Sequence, residues 1–86
     1  MTTQIAMFAT EIADLIVKDV RRHDHCQAFR SIDVHEIAPG QIPGVNWNAD
    51  SGIDYGGADP GSCDNALREV IPRMQRQYTL KRPLAA

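Results

Sequence analysis

The chain has 86 residues, 43% of them hydrophobic and 23% charged. These fractions are typical of a folded domain and exclude wholesale disorder. The length suits one small domain, residues 1–86, with a thin hydrophobic core. The formal net charge of −2 excludes a strongly basic, histone-like protein.

The first predicted element is an amphipathic helix over residues 3–22. Its apolar residues recur at spacings of three and four, which is the period of a helix with one buried face. They are Ile5, Phe8, Ala9, Ile12, Leu15, Ile16 and Val20. Glu11, Asp14 and Lys18 fall on the opposite face, which we expect to meet solvent.

A hairpin is predicted in residues 28–50. Ile32 and Val34 alternate with polar residues, and Trp47 alternates in the same way on a second segment, so both segments have the period of a strand. The Pro/Gly-rich stretch 39–44 supplies the turn. We expect Trp47 to lie in the core or in a dimer interface; the alternative is an exposed platform for a ligand.

The C-terminal half is predicted to contain a Gly/Asp-rich loop at 51–61 and a second helix at 62–78. Pro72 lies within that helical pattern, and its missing N–H predicts a kink or a break. Residues 78–80 are a possible short strand, and residues 81–86 form a tail. The fold class is therefore α+β in the order helix–strand–strand–helix, with the helices packed on one face of a small antiparallel sheet.

Two strands alone make a marginal sheet with open edges. Because open edges are usually covered or paired, we expect a homodimer that completes the sheet through an edge or through the Trp47 face.

Charge is segregated along the chain. Residues 31–67 contain no Lys or Arg, whereas the second helix and tail are basic. This strip consists of Arg68, Arg73, Arg76, Lys81 and Arg82. One interpretation is a surface for nucleic acid or for an acidic partner. The other is that these side chains face solvent or pair with carboxylates of the same chain or of a neighbouring copy.

Candidate metal ligands are present but poorly spaced. His23, His25 and Cys26 cluster, with His35 and Cys63 elsewhere, yet no second ligand pair completes the spacing of a zinc site. The oxygen-bearing run Asn46, Asn48, Asp50 and Asp54 is similar to a calcium loop, but it lacks the acidic residue at the twelfth position. We expect no metal.

We expect Cys26 and Cys63 to be small buried hydrophobes, and a thiol nucleophile at Cys63 is the alternative. Cys63 lies near the predicted start of a helix, where a thiol pKa is lowered, and His25 or His35 is a possible base. The six glycines form no phosphate-binding motif. We therefore expect a protein that is not an enzyme and holds no cofactor.

The N-terminal stretch has no Lys or Arg before Lys18, and Glu11 and Asp14 interrupt its apolar residues. It does not have the pattern of a secretory signal, and no apolar run is long enough to span a membrane. We expect a cytoplasmic protein that does not enter membranes and keeps its thiols reduced.

One set of residues resembles a known group of proteins. The set comprises Val45-Asn46-Trp47, the Gly/Asp-rich loop, Cys63-x-x-Ala66-Leu67 and Gln75-x-x-Tyr78-x-Leu80. It resembles short α-proteobacterial proteins of the kind found in rhizobia, over about residues 30–80. The resemblance implies a bacterial, soluble, small α+β protein, and it transfers no catalytic or binding residue because that group has no assigned activity.

Three functions remain open at this point. The first is a non-enzymatic interaction or assembly module that associates with itself. The second is a nucleic-acid-associated regulator that uses the basic strip, and the third is a small metal- or thiol-dependent protein.

Overall fold

The computed structural model describes residues 4–38 and 40–82. Two helices and four strands follow one another in the order β1 (Ile5–Met7), α1 (Ala9–Val20), β2 (Ser31–Glu36), β3 (Trp47–Asp54), α2 (Pro60–Gln77) and β4 (Tyr78–Leu80). Strands β2 and β3 are antiparallel, and β1 and β4 form a separate parallel pair. The predicted α+β class and the small antiparallel sheet are confirmed.

The N-terminal element differs from its prediction. The helix begins at Ala9 rather than at residue 3, and Ile5–Met7 form β1 instead. Strand β1 pairs with β4, and the N–H of Lys81, the residue after β4, donates to Met7 O at 2.9 Å. The Phe8 N–H, which the helix leaves without a partner, donates to the Glu11 carboxylate at 3.0 Å. The helix ends at Val20 rather than at residue 22, and Thr3 lies outside the described residues.

The predicted loop at 51–61 is also shorter than expected. Strand β3 runs on to Asp54, and α2 starts at Pro60. Strand β3 keeps its pairing because Gly52 adopts a φ of +63°, at a point where a Cβ would overlap the Asp33 side chain. The Asp59 carboxylate accepts from Ser62 N–H at 2.9 Å and so caps α2.

Helix α2 continues through Pro72 to Gln77, so the predicted break is absent. The short strand over residues 78–80 forms directly after it, but its partner is β1. In the predicted tail, Lys81 and Arg82 are non-helical, and residues 83–86 lie outside the described part of the chain. Pro39, in the predicted turn, also lies outside it.

The core lies between the helices and the β2–β3 hairpin, with α1 against β2 and α2 against β3. Its largest fully buried side chains are Trp47, Phe29, Ile12, Ile16, Val20 and Val70. The apolar stripes that identified both helices in the sequence thus face inward.

Candidate functional site

Trp47 is completely buried and does not meet solvent. Its indole N–H donates to the main-chain oxygen of Tyr78 at 3.0 Å, which fixes the ring against β4. The core position is therefore confirmed, while a ligand platform and a partner-binding role for Trp47 are wrong. Burial of an aromatic ring stabilises the domain, and it removes the Trp47 face as a docking surface.

Polar side chains close the outer edge of β4. The Asn46 amide donates to Leu80 O and accepts from Leu80 N–H, both at 2.9 Å. Gln75, the buried polar residue of this region, donates to Trp47 O at 2.9 Å. Asn46 and the Trp47 indole pair the outward main-chain atoms of Leu80 and Tyr78 that a neighbouring strand would otherwise take, whereas Gln75 pairs an atom of β3.

The predicted basic strip is divided among several environments. Arg73 pairs with Asp19 on α1, and Arg82 pairs with Glu36 on β2. The Lys81 ammonium lies 4.3 Å from the centre of the Phe8 ring. Pairing with carboxylates of the same chain, the second interpretation of the strip, therefore holds for Arg73 and Arg82.

The two remaining members of the strip line different clefts. Arg68 lies in a cleft with Asp50 and Asp64, where acidic groups oppose the binding of phosphate. Arg76 lies on another cleft beside Gln4. The five cations consequently do not form one surface of uniform charge, which a nucleic-acid groove requires.

Cys63 is buried and stays protonated, so it is unsuited to act as a nucleophile. Cys63 and Cys26 are both free thiols, and both are fully buried. Loss of water, followed by the contact with Cys26, raises the pKa of Cys63 to about 12. The expectation of small buried thiols is confirmed, and the alternative of a nucleophile with a lowered pKa is wrong because desolvation of the thiolate outweighs the effect of the helix N-terminus.

The predicted metal ligands are scattered. His25 is exposed and has a φ of +67°. His35 lies 3.5 Å from Asp50 on the hairpin. Within residues 4–38 and 40–82, no group of three or more His, Cys, Asp or Glu side chains is placed to hold a metal ion.

The oxygen atoms of the predicted calcium loop have main-chain partners. Asn46 binds Leu80, the Asn48 side-chain oxygen accepts from Ala49 N–H at 2.8 Å, and Asp54 accepts from Gly56 N–H at 2.9 Å. These side chains stabilise turns and strand edges, and they do not converge on one point.

A cationic groove lies between the end of α1 and the start of β2. Lys18, Arg21, Arg22 and Arg30 line it, and its volume is about 690 Å³. The sequence did not single out this group, because Arg30 is separated from α1 by a turn whose path no local pattern shows. The one available signal was the positive charge of residues 18–30.

Strand β1 carries a second exposed feature. Among the described residues, the exposed large hydrophobic side chains are Ile5, at 59% exposure, and Phe8, at 37%. Ile5 is the first residue of β1 and Phe8 directly follows the strand, which lies at the edge of the β1–β4 pair. An apolar edge of this kind is a candidate site for an added strand.

Comparisons with protein-family models, with curated proteins and with solved structures give no match for this chain. The roles of the groove and of the β1 edge therefore rest on their geometry. In the described part of the chain, neither helix is long and apolar enough to cross a membrane.

Proposed function

We propose that this protein is a non-enzymatic assembly module that associates with itself through the outer edge of β1. The observation that carries the proposal is the coincidence of an edge strand with the exposed side chains of Ile5 and Phe8. The other edge of this pair, on β4, is already closed by Asn46 and Trp47.

The direction of the main chain in β1 supports this choice. Met7 O accepts from Lys81 N–H, so Met7 points its polar atoms toward β4. Main-chain groups alternate along a strand, and those of Ala6, between Ile5 and Met7, therefore point away from β4. A partner strand would pair with the N–H and C=O of Ala6.

A second copy is the simplest occupant. Antiparallel pairing about a two-fold axis at Ala6 places Ile5 of one protomer opposite Met7 of its partner, and the reverse contact is identical. The pairing would join β4 and β1 of both protomers into one four-stranded sheet, which is more stable than two isolated pairs. Because β1 has three residues, we expect a weak, concentration-dependent dimer.

Sedimentation velocity over a range of protein concentrations tests the proposal. We expect the wild type to shift from monomer to dimer as its concentration rises. Ala6→Pro removes the outward N–H without removing a bond to β4, so it should give a monomer at every concentration. Ile5→Lys, which places a charge on the edge, should have the same effect.

Gln27→Lys is the matched control, since it adds the same charge at an exposed position in the turn after α1. It should dimerise as the wild type does. Near-UV circular dichroism of Trp47 establishes that each variant keeps its core. A wild type that stays monomeric, or folded Ala6→Pro and Ile5→Lys variants that still dimerise, would overturn the proposal.

A further inference from the structure

We infer that the cationic groove between α1 and β2 is a binding site for a small organic phosphate, a phosphomonoester with an apolar group. The groove brings Lys18, Arg21, Arg22 and Arg30 together around a volume of about 690 Å³. This volume lies within the range of small-molecule sites in proteins. The inference is independent of the β1 edge, which shares no residue with the groove.

Charge selects an anion. Four cationic side chains line the groove, and Asp14 is the one carboxylate among the lining residues. The C-terminal end of α1 contributes roughly half a negative elementary charge, which a single cation offsets. Asp14, Asp19 and Asp54 offset part of the remaining positive charge. Among the described residues, Lys18 and Arg21 form no ion pair with a carboxylate, and their charges are the ones that attract an anionic ligand.

Arg21 is held in a geometry suited to phosphate. Its Nε–H donates to Phe29 O at 2.7 Å, and Phe29 is fully buried. The anchored guanidinium keeps its two terminal nitrogens for a ligand. A planar, pre-oriented guanidinium binds a phosphate through two parallel hydrogen bonds, and little side-chain freedom is lost on binding.

Arg22 and Arg30 are available to the same ligand. Arg22 lies 3.7 Å from Asp19, and Arg30 lies 3.7 Å from Asp54, with both arginine side chains 73% exposed. Exposed ion pairs of this length are screened by water and contribute little. Both guanidiniums can therefore turn toward a phosphate without losing a strong interaction.

The apolar part of the lining makes the ligand an organic phosphate rather than the free ion. Ala13, Val17 and Ile32 line the groove together with the cations. An apolar group next to the phosphate would displace water from this wall, which favours binding in proportion to the area covered. The Ser31 hydroxyl, also on the lining, can donate to a phosphate oxygen.

The test is a titration of the ¹⁵N-labelled full chain with phenyl phosphate at low ionic strength, followed by NMR. We expect the amides of residues 18–22 and 30–32 to shift, with tighter binding for phenyl phosphate than for inorganic phosphate. Arg21→Gln should weaken the binding of phenyl phosphate about tenfold or more, because a hydrogen bond to a charged group is lost. Arg30→Gln, an exposed position that leaves the fold intact, should weaken it in the same direction.

Arg68→Gln is the matched control, since it removes the same charge outside the groove, and it should bind as the wild type does. Four results would overturn the inference. They are no shift with phenyl phosphate, equal binding of phenyl and inorganic phosphate, an equal loss in Arg68→Gln, or binding of a short duplex DNA without binding of phenyl phosphate. The last result would assign the groove to a nucleic-acid backbone.

Discussion

The side-chain amide of Asn46 pairs with the main chain of Leu80 as a neighbouring strand would. It accepts from Leu80 N–H and donates to Leu80 O, and both distances are 2.9 Å. A single side chain thus joins the β2–β3 hairpin region to the β1–β4 pair. It also closes an edge that would otherwise be open to other strands.

Asn46→Leu should destabilise the domain by about 2–4 kcal/mol, because two partly buried main-chain groups of Leu80 lose their partners. Asn46→Asp keeps the acceptor for Leu80 N–H but loses the donor to Leu80 O, so its effect should be smaller. Urea unfolding followed by Trp47 fluorescence measures both changes. Equal stability of Asn46→Leu and the wild type would contradict the pairing.

Gln75 is expected to stabilise the domain through one buried hydrogen bond, which it donates to Trp47 O. Gln75→Met keeps the volume of the side chain but leaves Trp47 O without its donor, at a cost of about 1–3 kcal/mol. Gln77→Met, an exposed substitution in the same helix, is the control and should stay within about 0.5 kcal/mol of the wild type. Both are measured by denaturant unfolding, and similar values for the two variants would count against this role.

Gly56 and Gly57 form a matched pair of positions with positive φ. A Cβ at Gly56 would overlap the main-chain oxygen of Ala28, whereas a Cβ at Gly57 would meet open space. Gly56→Ala should therefore destabilise by about 2–4 kcal/mol, from strain and steric overlap together. Gly57→Ala should cost about 1 kcal/mol from strain alone. Thermal unfolding measures the difference. A smaller loss of stability in Gly56→Ala than in Gly57→Ala would contradict this prediction.

The buried thiol of Cys63 makes the stability of the domain vary with pH in the alkaline range. Burial raises the pKa of Cys63 from an ordinary 9.0 to about 12 in the folded protein. The folded state therefore holds this proton more tightly than the unfolded chain does. The contribution of this thiol to the free energy of unfolding is fully present below pH 9 and falls as the pH rises from 9 toward 12.

Cys63→Ala should flatten this decline, as measured by the Tm across the alkaline range. Tyr55 also contributes to a loss of stability at alkaline pH, since the hydrogen bond to Asp64 raises its pKa. Tyr55→Phe removes this second contribution and so distinguishes it from that of Cys63. If the Tm of Cys63→Ala falls with pH as steeply as that of the wild type, the thiol is not the source.

Local periodicity predicted the elements that bury a continuous stripe. The helical spacing of Leu67, Val70 and Met74 predicted α2, and all three are buried. The same reasoning placed Ile5 in a helix because its spacing to Ile12 fits one. Its actual partner is Tyr78, 73 residues along the chain, and a contact that distant leaves no periodic signal.

The candidate sites were harder to predict than the elements. Proximity in sequence suggested a basic strip, but Arg73 and Arg82 meet carboxylates contributed by other elements. Arg30 joins the end of α1 only because the turn after the helix returns the chain to it. Burial likewise decided the chemistry of Cys63, and a position near a helix start carries no information about burial.

The parallel pairing of β1 with β4 has a consequence for the order of folding. The hairpin joins Glu36 to Trp47 and can close early, because the loop between them is short. The β1–β4 pair joins nearly the first described residue to nearly the last, so it closes late. During synthesis, β1 stays unpaired until Leu80 has left the ribosome. Until then both edges of β1 are unpaired, and an unpaired apolar edge favours aggregation during folding.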